Sequence, residues 1–146
     1  MLGIIAGALA VVLTAGATVI YVAYDRYTRP DRSAPDVVVD NYLRSYLVYR
    51  QDAQAAQYAC EDTGGLAALQ TARAELAERE RELSTTFEIS WGALQVAERA
   101  DAADVTVELV ITNWVDTLAY SSNQSWRFGT RKIDDEWYVC EAARLP

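Results

Sequence analysis

The stretch ERELSTTFEISWGALQV, Glu80 to Val96, changes period partway along. Up to Leu83 the surrounding apolar residues recur every three or four positions. From Thr86 they alternate, with Phe87, Ile89 and Trp91 on one side. The first pattern belongs to a helix and the second to a half-buried strand, so the chain switches element near Ser84. After Gly92 the parity moves to Leu94 and Val96, which predicts one extra residue at the glycine, a β-bulge.

Upstream of the switch everything reads as helix. LAALQTARAELAERERELS, residues 66–84, carries a narrow stripe of Leu66, Leu69, Ala72, Leu76 and Leu83. Glu75 and Arg79 are spaced for an ion pair, and the Glu and Arg run at 78–82 is a solvated face. Before it, Asp62-Thr63-Gly64-Gly65 is a turn, and Asp52 is placed to cap a short helix, AQAAQYAC, that ends near Cys60. DVVVDNYLRSYLVYRQD sets Val39, Tyr42, Leu43, Tyr46, Leu47 and Arg50 at helical spacing and predicts a helix from Asp36 to Gln51. Ser33 and Asp36 resemble a capping pair at its start.

Downstream everything reads as strand. ADAAD at 100–104 turns the chain, DVTVELVITNWV alternates Val105, Val107, Leu109 and Ile111, and SWRFGTRKI carries Trp126 and Phe128. After the turn IDDEW, the segment WYVCEA alternates Trp137 and Val139 against Tyr138 and Cys140. Three helices followed by four strands predict an α+β domain, a curved antiparallel sheet with helices packed on one face. Trp91, Trp126 and Trp137 are expected at strand positions, some pointing into the concavity.

The first segment differs in composition. LGIIAGALAVVLTAGATVIYVAY has no charge before Asp25, and as a helix it spans roughly 34 Å, enough for a hydrocarbon core of ~30 Å. Residues 1–24 therefore read as a single-pass transmembrane helix, 25–35 as a charged, proline-bearing linker, and 36–146 as the folded domain. The competing reading is a cleaved signal peptide with Ala15-Gly16-Ala17 at the cut, but no basic residues precede the apolar run and it continues to Ala23. Tyr21, Tyr24 and Tyr27 fall where an aromatic belt sits, and Gly3 with Gly7 gives a small-xxx-small pair. Arg26, Arg29 and Arg32 after the helix favour a cytoplasmic domain by the positive-inside rule. Two cysteines, Cys60 and Cys140, both outside the apolar run, suit one bridge in an oxidising compartment instead, although two separate buried thiols fit the count as well.

Composition narrows the function. The formal charge is −8, with 21 acidic and 13 basic residues, which argues against nucleic-acid binding. Histidine is absent, so a histidine-dependent serine or cysteine triad is excluded and no imidazole metal site exists. Asp134-Asp135-Glu136 is a turn rather than a calcium loop, and no cofactor or metal is expected. Tyr42, Tyr46 and Tyr49 with Asp40 and Asp116 are the residues from which a proton-transfer site would be built. Nothing in their spacing forces phenol and carboxylate together, and the tyrosines read as core, so the chain is expected to be noncatalytic.

The order of elements resembles the nuclear transport factor 2-like, or cystatin-like, superfamily, in which helices precede a strongly curved sheet that forms a cone. More narrowly, the apolar helix, the arginine-bearing linker, VVVDNYLRSYL, the cysteine in the short second helix and the closing W-Y-V-C strand resemble membrane-anchored actinobacterial members. Those include proteins associated with mammalian-cell-entry transport systems, whose domains lie outside the cytoplasmic membrane. The resemblance implies an extracytoplasmic domain at the cell membrane, a Cys60–Cys140 disulfide, and a docking or structural part in an envelope complex with a protein partner. It also implies an alternative: a pocket for a small apolar ligand, lined by Tyr42, Tyr46, Trp91 and Trp126. Unlike such members, this sequence has no basic tail before its apolar segment.

Overall fold

A computed structural model of the chain describes residues 29–115 and 117–146. The expected transmembrane helix at 1–24, its tyrosine belt, residues 25–28 of the linker and Asp116 lie outside the described residues. Among the described residues no helix is long and apolar enough to cross a membrane. Contacts divide the chain after Pro30, and the unit Asp31–Pro146 is the domain described below.

Three helices come first. Helix α1, Pro35–Leu43, continues through a wider π turn, Arg44–Val48, in which the Tyr49 N–H donates to the Arg44 carbonyl at 2.8 Å. Its start corrects the expected cap: Ala34 holds the capping position with Pro35 in the first turn, while Ser33 donates to Asp31 at 2.7 Å. Proline suits that site because its fixed φ is helical and the missing N–H would be unpaired there anyway. Helix α2, Asp52–Ala55, runs into a tight turn at Ala56–Tyr58. Asp52 does not cap it; it is the first helical residue, and its carboxylate is held by Arg73. A turn at Gly64–Leu66 leads into α3, Ala67–Leu83. On α3, Arg81 pairs with Glu78, whereas Glu75 and Arg79 form no ion pair among the described residues.

The sheet has five strands where four were expected: β1 Glu88–Trp91, β2 Gln95–Arg99, β3 Ala102–Val115, β4 Leu118–Ile133 and β5 Glu136–Arg144. The order is β1-β3-β4-β5, all antiparallel, and β2 lies beside β1 along the same edge of β3. The fifth strand arises at the predicted bulge. Trp91 faces Leu109 and Gln95 faces Thr106, so four steps on one side match three on β3. The extra residue breaks the ladder and divides one expected strand in two.

The core fills the concave side. Val38, Val39, Tyr42, Leu43 and Leu47 of α1 meet Val105, Val107, Leu109, Trp126, Phe128, Trp137 and Val139 of the sheet, and Leu66 and Leu69 close one end. The domain takes hold of its own upstream segment as well. The Trp137 N–H donates to the Arg32 carbonyl at 2.9 Å, and the Arg32 guanidinium meets Glu136 at 2.6 Å and the Gln57 carbonyl at 2.8 Å. Arg32, read from sequence as linker, thus sits in the fold.

Candidate cleft and the clasp on the last strand

The last strand carries a second bulge. Gly129 faces Glu141 and Thr130 faces Val139, so Cys140 is the extra residue. Val139 and Cys140 are consequently both buried, against the alternation of a regular strand. Ala59 forms a one-residue bridge with Val139, the Cys60 N–H donates to the Val139 carbonyl at 2.9 Å, and Cys60 and Cys140 are joined by a disulfide with Cα atoms 4.9 Å apart. Gly65 also closes on this point: a Cβ there would come within 2.3 Å of the Cys140 carbonyl oxygen. Only glycine lets the backbones approach so closely.

Toward the far end of the β3–β4 hairpin, α3 overhangs the sheet without closing on it. The space left is a cleft of about 410 Å³. Leu69, Leu76 and Leu83 form its roof, and Ile89, Leu109, Ile111 and Trp126 form its floor. Trp126 is 1% exposed, and its indole N–H donates to Gln124 at 3.3 Å. Arg79 and Arg144 also line the cleft, together with Glu75. Among the described residues, neither of these two arginines forms an ion pair, whereas Arg73 at the same wall is held by Asp52 and covers the Tyr46 ring at 4.3 Å.

Of the four residues expected to line a pocket, Trp126 does. Tyr42 is in the core, stacked on Tyr46 with ring centroids 5.4 Å apart, and burial pushes its phenol above its ordinary range, with Tyr46 adding to the effect. Trp91 sits elsewhere too, its indole N–H donating to Asp40 at 2.8 Å and its ring beneath Arg44. Asp40 also accepts from Arg44 at 2.8 Å, so its carboxylate is occupied by a cation and an indole rather than by a tyrosine. Tyr49 is exposed at the end of α1.

Sequence reading missed most of the lining. Leu76 and Leu83 were assigned to the α3 stripe without a cavity. Arg144 carried no signal, because the bulge at Cys140 reverses parity downstream and sets Arg144 opposite Trp126. Tyr120 and Gln124 lie in a polar stretch with no alternation, Leu118–Gln124, which is a strand only because β3 pairs with it throughout.

The sequence matches no family model, and no curated protein matches it. Solved structures do resemble the fold. An IcmL-like type IV secretion system protein from Legionella pneumophila aligns with a TM-score of 0.58 and 12% identity, over 80% of this chain and 94% of that one. A nuclear transport factor 2-like protein with a cystatin-like fold from Novosphingobium aromaticivorans aligns with a TM-score of 0.55 and 17% identity, over 90% of this chain and 88% of that one. Helices α1–α3 followed by the antiparallel sheet are therefore the cystatin-like fold of nuclear transport factor 2-like proteins.

Proposed function

We propose that this chain is a noncatalytic docking or structural domain of an envelope complex, carried at the outer face of a cell membrane by its apolar N-terminal segment. The observation that carries the reading is the apolar rim of the cleft. Val115, Leu118 and Tyr120 gather on the cleft side of the β3–β4 hairpin end, with Leu118 and Tyr120 each 60% exposed, and Leu83 projects from the facing end of α3. Apolar side chains gathered at one end of a small acidic domain favour a protein partner. The occupied Asp40 and the core position of Tyr42 support a noncatalytic role, since the two do not form an acid–base pair.

The test has two arms. A cysteine introduced in the linker, probed in intact cells with a membrane-impermeant maleimide, reports the side of the membrane; labelling only after lysis sinks the outward orientation. A photocrosslinker at Leu118 is expected to capture one membrane protein repeatedly, and capture of none sinks the docking role. The cleft itself favours a second reading, a small apolar ligand held under α3. In that case a panel of lipids and steroids raises the melting temperature of the chain.

A further inference from the structure

Among the described residues, the sheet leaves one long edge without a neighbour. Strand β5 pairs with β4 from Trp126 to Ile133, and the Leu145 N–H reaches the Ser125 carbonyl at 2.8 Å. From Leu118 to Gln124, β4 has β3 on one side and, among the described residues, no strand on the other. Backbone groups alternate direction along an antiparallel strand, so the N–H and C=O of Ala119, Ser121 and Asn123 point outward as the Ser125 carbonyl does.

The other edges of the sheet are blunted. Ala59, Cys60 and Gly65 lie against β5, and β1 and β2 are short and interrupted by the bulge between them. Such devices keep a sheet from pairing with foreign strands, and the open run on β4 has none of them: no proline, no lysine and no bulge. Its concave side opens directly into the cleft, where Tyr120, Ser122 and Gln124 stand beside the apolar floor.

Charge adds direction. The domain is strongly acidic, and most of its described arginines are held by carboxylates, yet among the described residues Arg79 and Arg144 line this cleft without an ion-pair partner. Arg144 lies where β5 ends, at the point from which an added strand would continue along β4. Glu75 stands on the same wall and leaves the balance of the three groups positive.

We propose that the Leu118–Gln124 edge of β4 receives an extended segment of a partner protein as an added strand, with alternate apolar side chains under α3 and acidic residues against Arg79 and Arg144. This deepens the docking reading by naming the surface and the chemistry of the partner. Main-chain pairing supplies the affinity in this mode, and side-chain pockets supply the selection.

The probe is a panel of short acetylated peptides alternating valine with threonine, with or without aspartates, titrated against the full-length chain in detergent and read by fluorescence anisotropy and amide hydrogen exchange. An aspartate-bearing peptide is expected to bind and to protect the amides of Ala119, Ser121 and Asn123. N-methylation of its alternate amides weakens binding about tenfold or more by removing the ladder. Ser121→Pro has the same effect while leaving the β3–β4 backbone ladder in place, with Ser121→Ala as the control for the lost hydroxyl contact to Thr112 at 2.9 Å, and Arg79→Glu with Arg144→Glu reverses the preference for aspartate. Failure of every peptide, or binding indifferent to N-methylation, overturns the proposal. Dodecanoate binding that depends on both arginines, with no peptide bound, also overturns it and makes the cleft an amphiphile site. A chain that dimerises through this edge until Ser121→Pro separates it overturns it in favour of a second copy. None of these failures touches the docking reading, which stands or falls on the crosslinking arm.

Discussion

The Arg50 guanidinium meets the Glu80 carboxylate at 2.6 Å, joining the chain just after α1 to the last turns of α3. Glu80 is 9% exposed, and the same oxygen also accepts the Phe87 N–H at 2.9 Å, where the chain leaves the helix for β1. One carboxylate therefore fixes three segments around the cleft.

The hydrogen bond from Arg50 is the largest influence on Glu80 and holds its carboxyl below the usual carboxylate range, with the Phe87 N–H acting the same way. A depressed folded value stabilises the domain above the unfolded value of about 4.3, and the contribution disappears as pH falls through the folded value. Glu80→Gln is expected to cost about 1–2 kcal/mol at neutral pH, a charged hydrogen bond reduced by the partial exposure of Arg50. The gap from the unaltered chain should close as pH falls below about 4. Urea midpoints across that range check it, and an equal gap at every pH sinks the assignment.

Reduction of the disulfide should loosen the whole domain. The bond joins residues 80 positions apart, and loop-closure entropy puts its contribution at about 4–5 kcal/mol. Cys60→Ser with Cys140→Ser, compared with the unaltered chain by guanidinium unfolding with and without reductant, should lower the midpoint by a matching amount. A reductant that changes only the unaltered chain confirms that the bond is the cause.

Gly65→Ala is the sharper local probe. The added methyl meets the Cys140 carbonyl oxygen at 2.3 Å, a backbone atom that cannot swing aside. Separation of α3 from β5 should cost about 1–3 kcal/mol, the usual range for overpacking. Gly92→Ala is the control, since nothing lies within 4 Å of its added methyl, and it should change stability little.

Ser84→Gly should act in the opposite sense. Ser84 ends α3 in the left-handed region with φ 50°, and the Thr85 N–H closes back on the Glu80 carbonyl at 3.0 Å, the hydrogen bonding of a helix end that favours glycine. Relief of the side-chain clash should raise stability by about 1 kcal/mol. A lower melting temperature would show that the serine is kept for another interaction.

The course of the fold was legible where burial imposes a period. The switch after Leu83 and the parity shift at Gly92 follow from apolar spacing, and the register on β3 places the extra residue between Trp91 and Gln95. The site was far less legible. Tyr42, Tyr46 and Trp91 have the composition of pocket walls, but Tyr42 packs in the core, Tyr46 is covered by Arg73, and Trp91 is occupied by Asp40. The first half of β4 is wet, so its side chains carry no pattern, and only the hydrogen bonds to β3 make it a strand. The orientation of Arg144 depends on a bulge at Cys140 that alternation alone does not reveal.

The bond between Cys60 and Cys140 also sets how the domain bears tension. A pull applied between Asp31 and Pro146 passes directly from one sulfur to the other, by a route that omits α3 and β1–β4. Only the stretches outside that loop, chiefly α1 and α2 with Arg32 clamped to Glu136 and Trp137, can pay out under load. The open edge of β4 and the α3 wall of the cleft with Arg79 lie within the shielded part, whereas Arg144 lies outside it, so a partner seated there would keep its strand pairing while the contact to Arg144 gives.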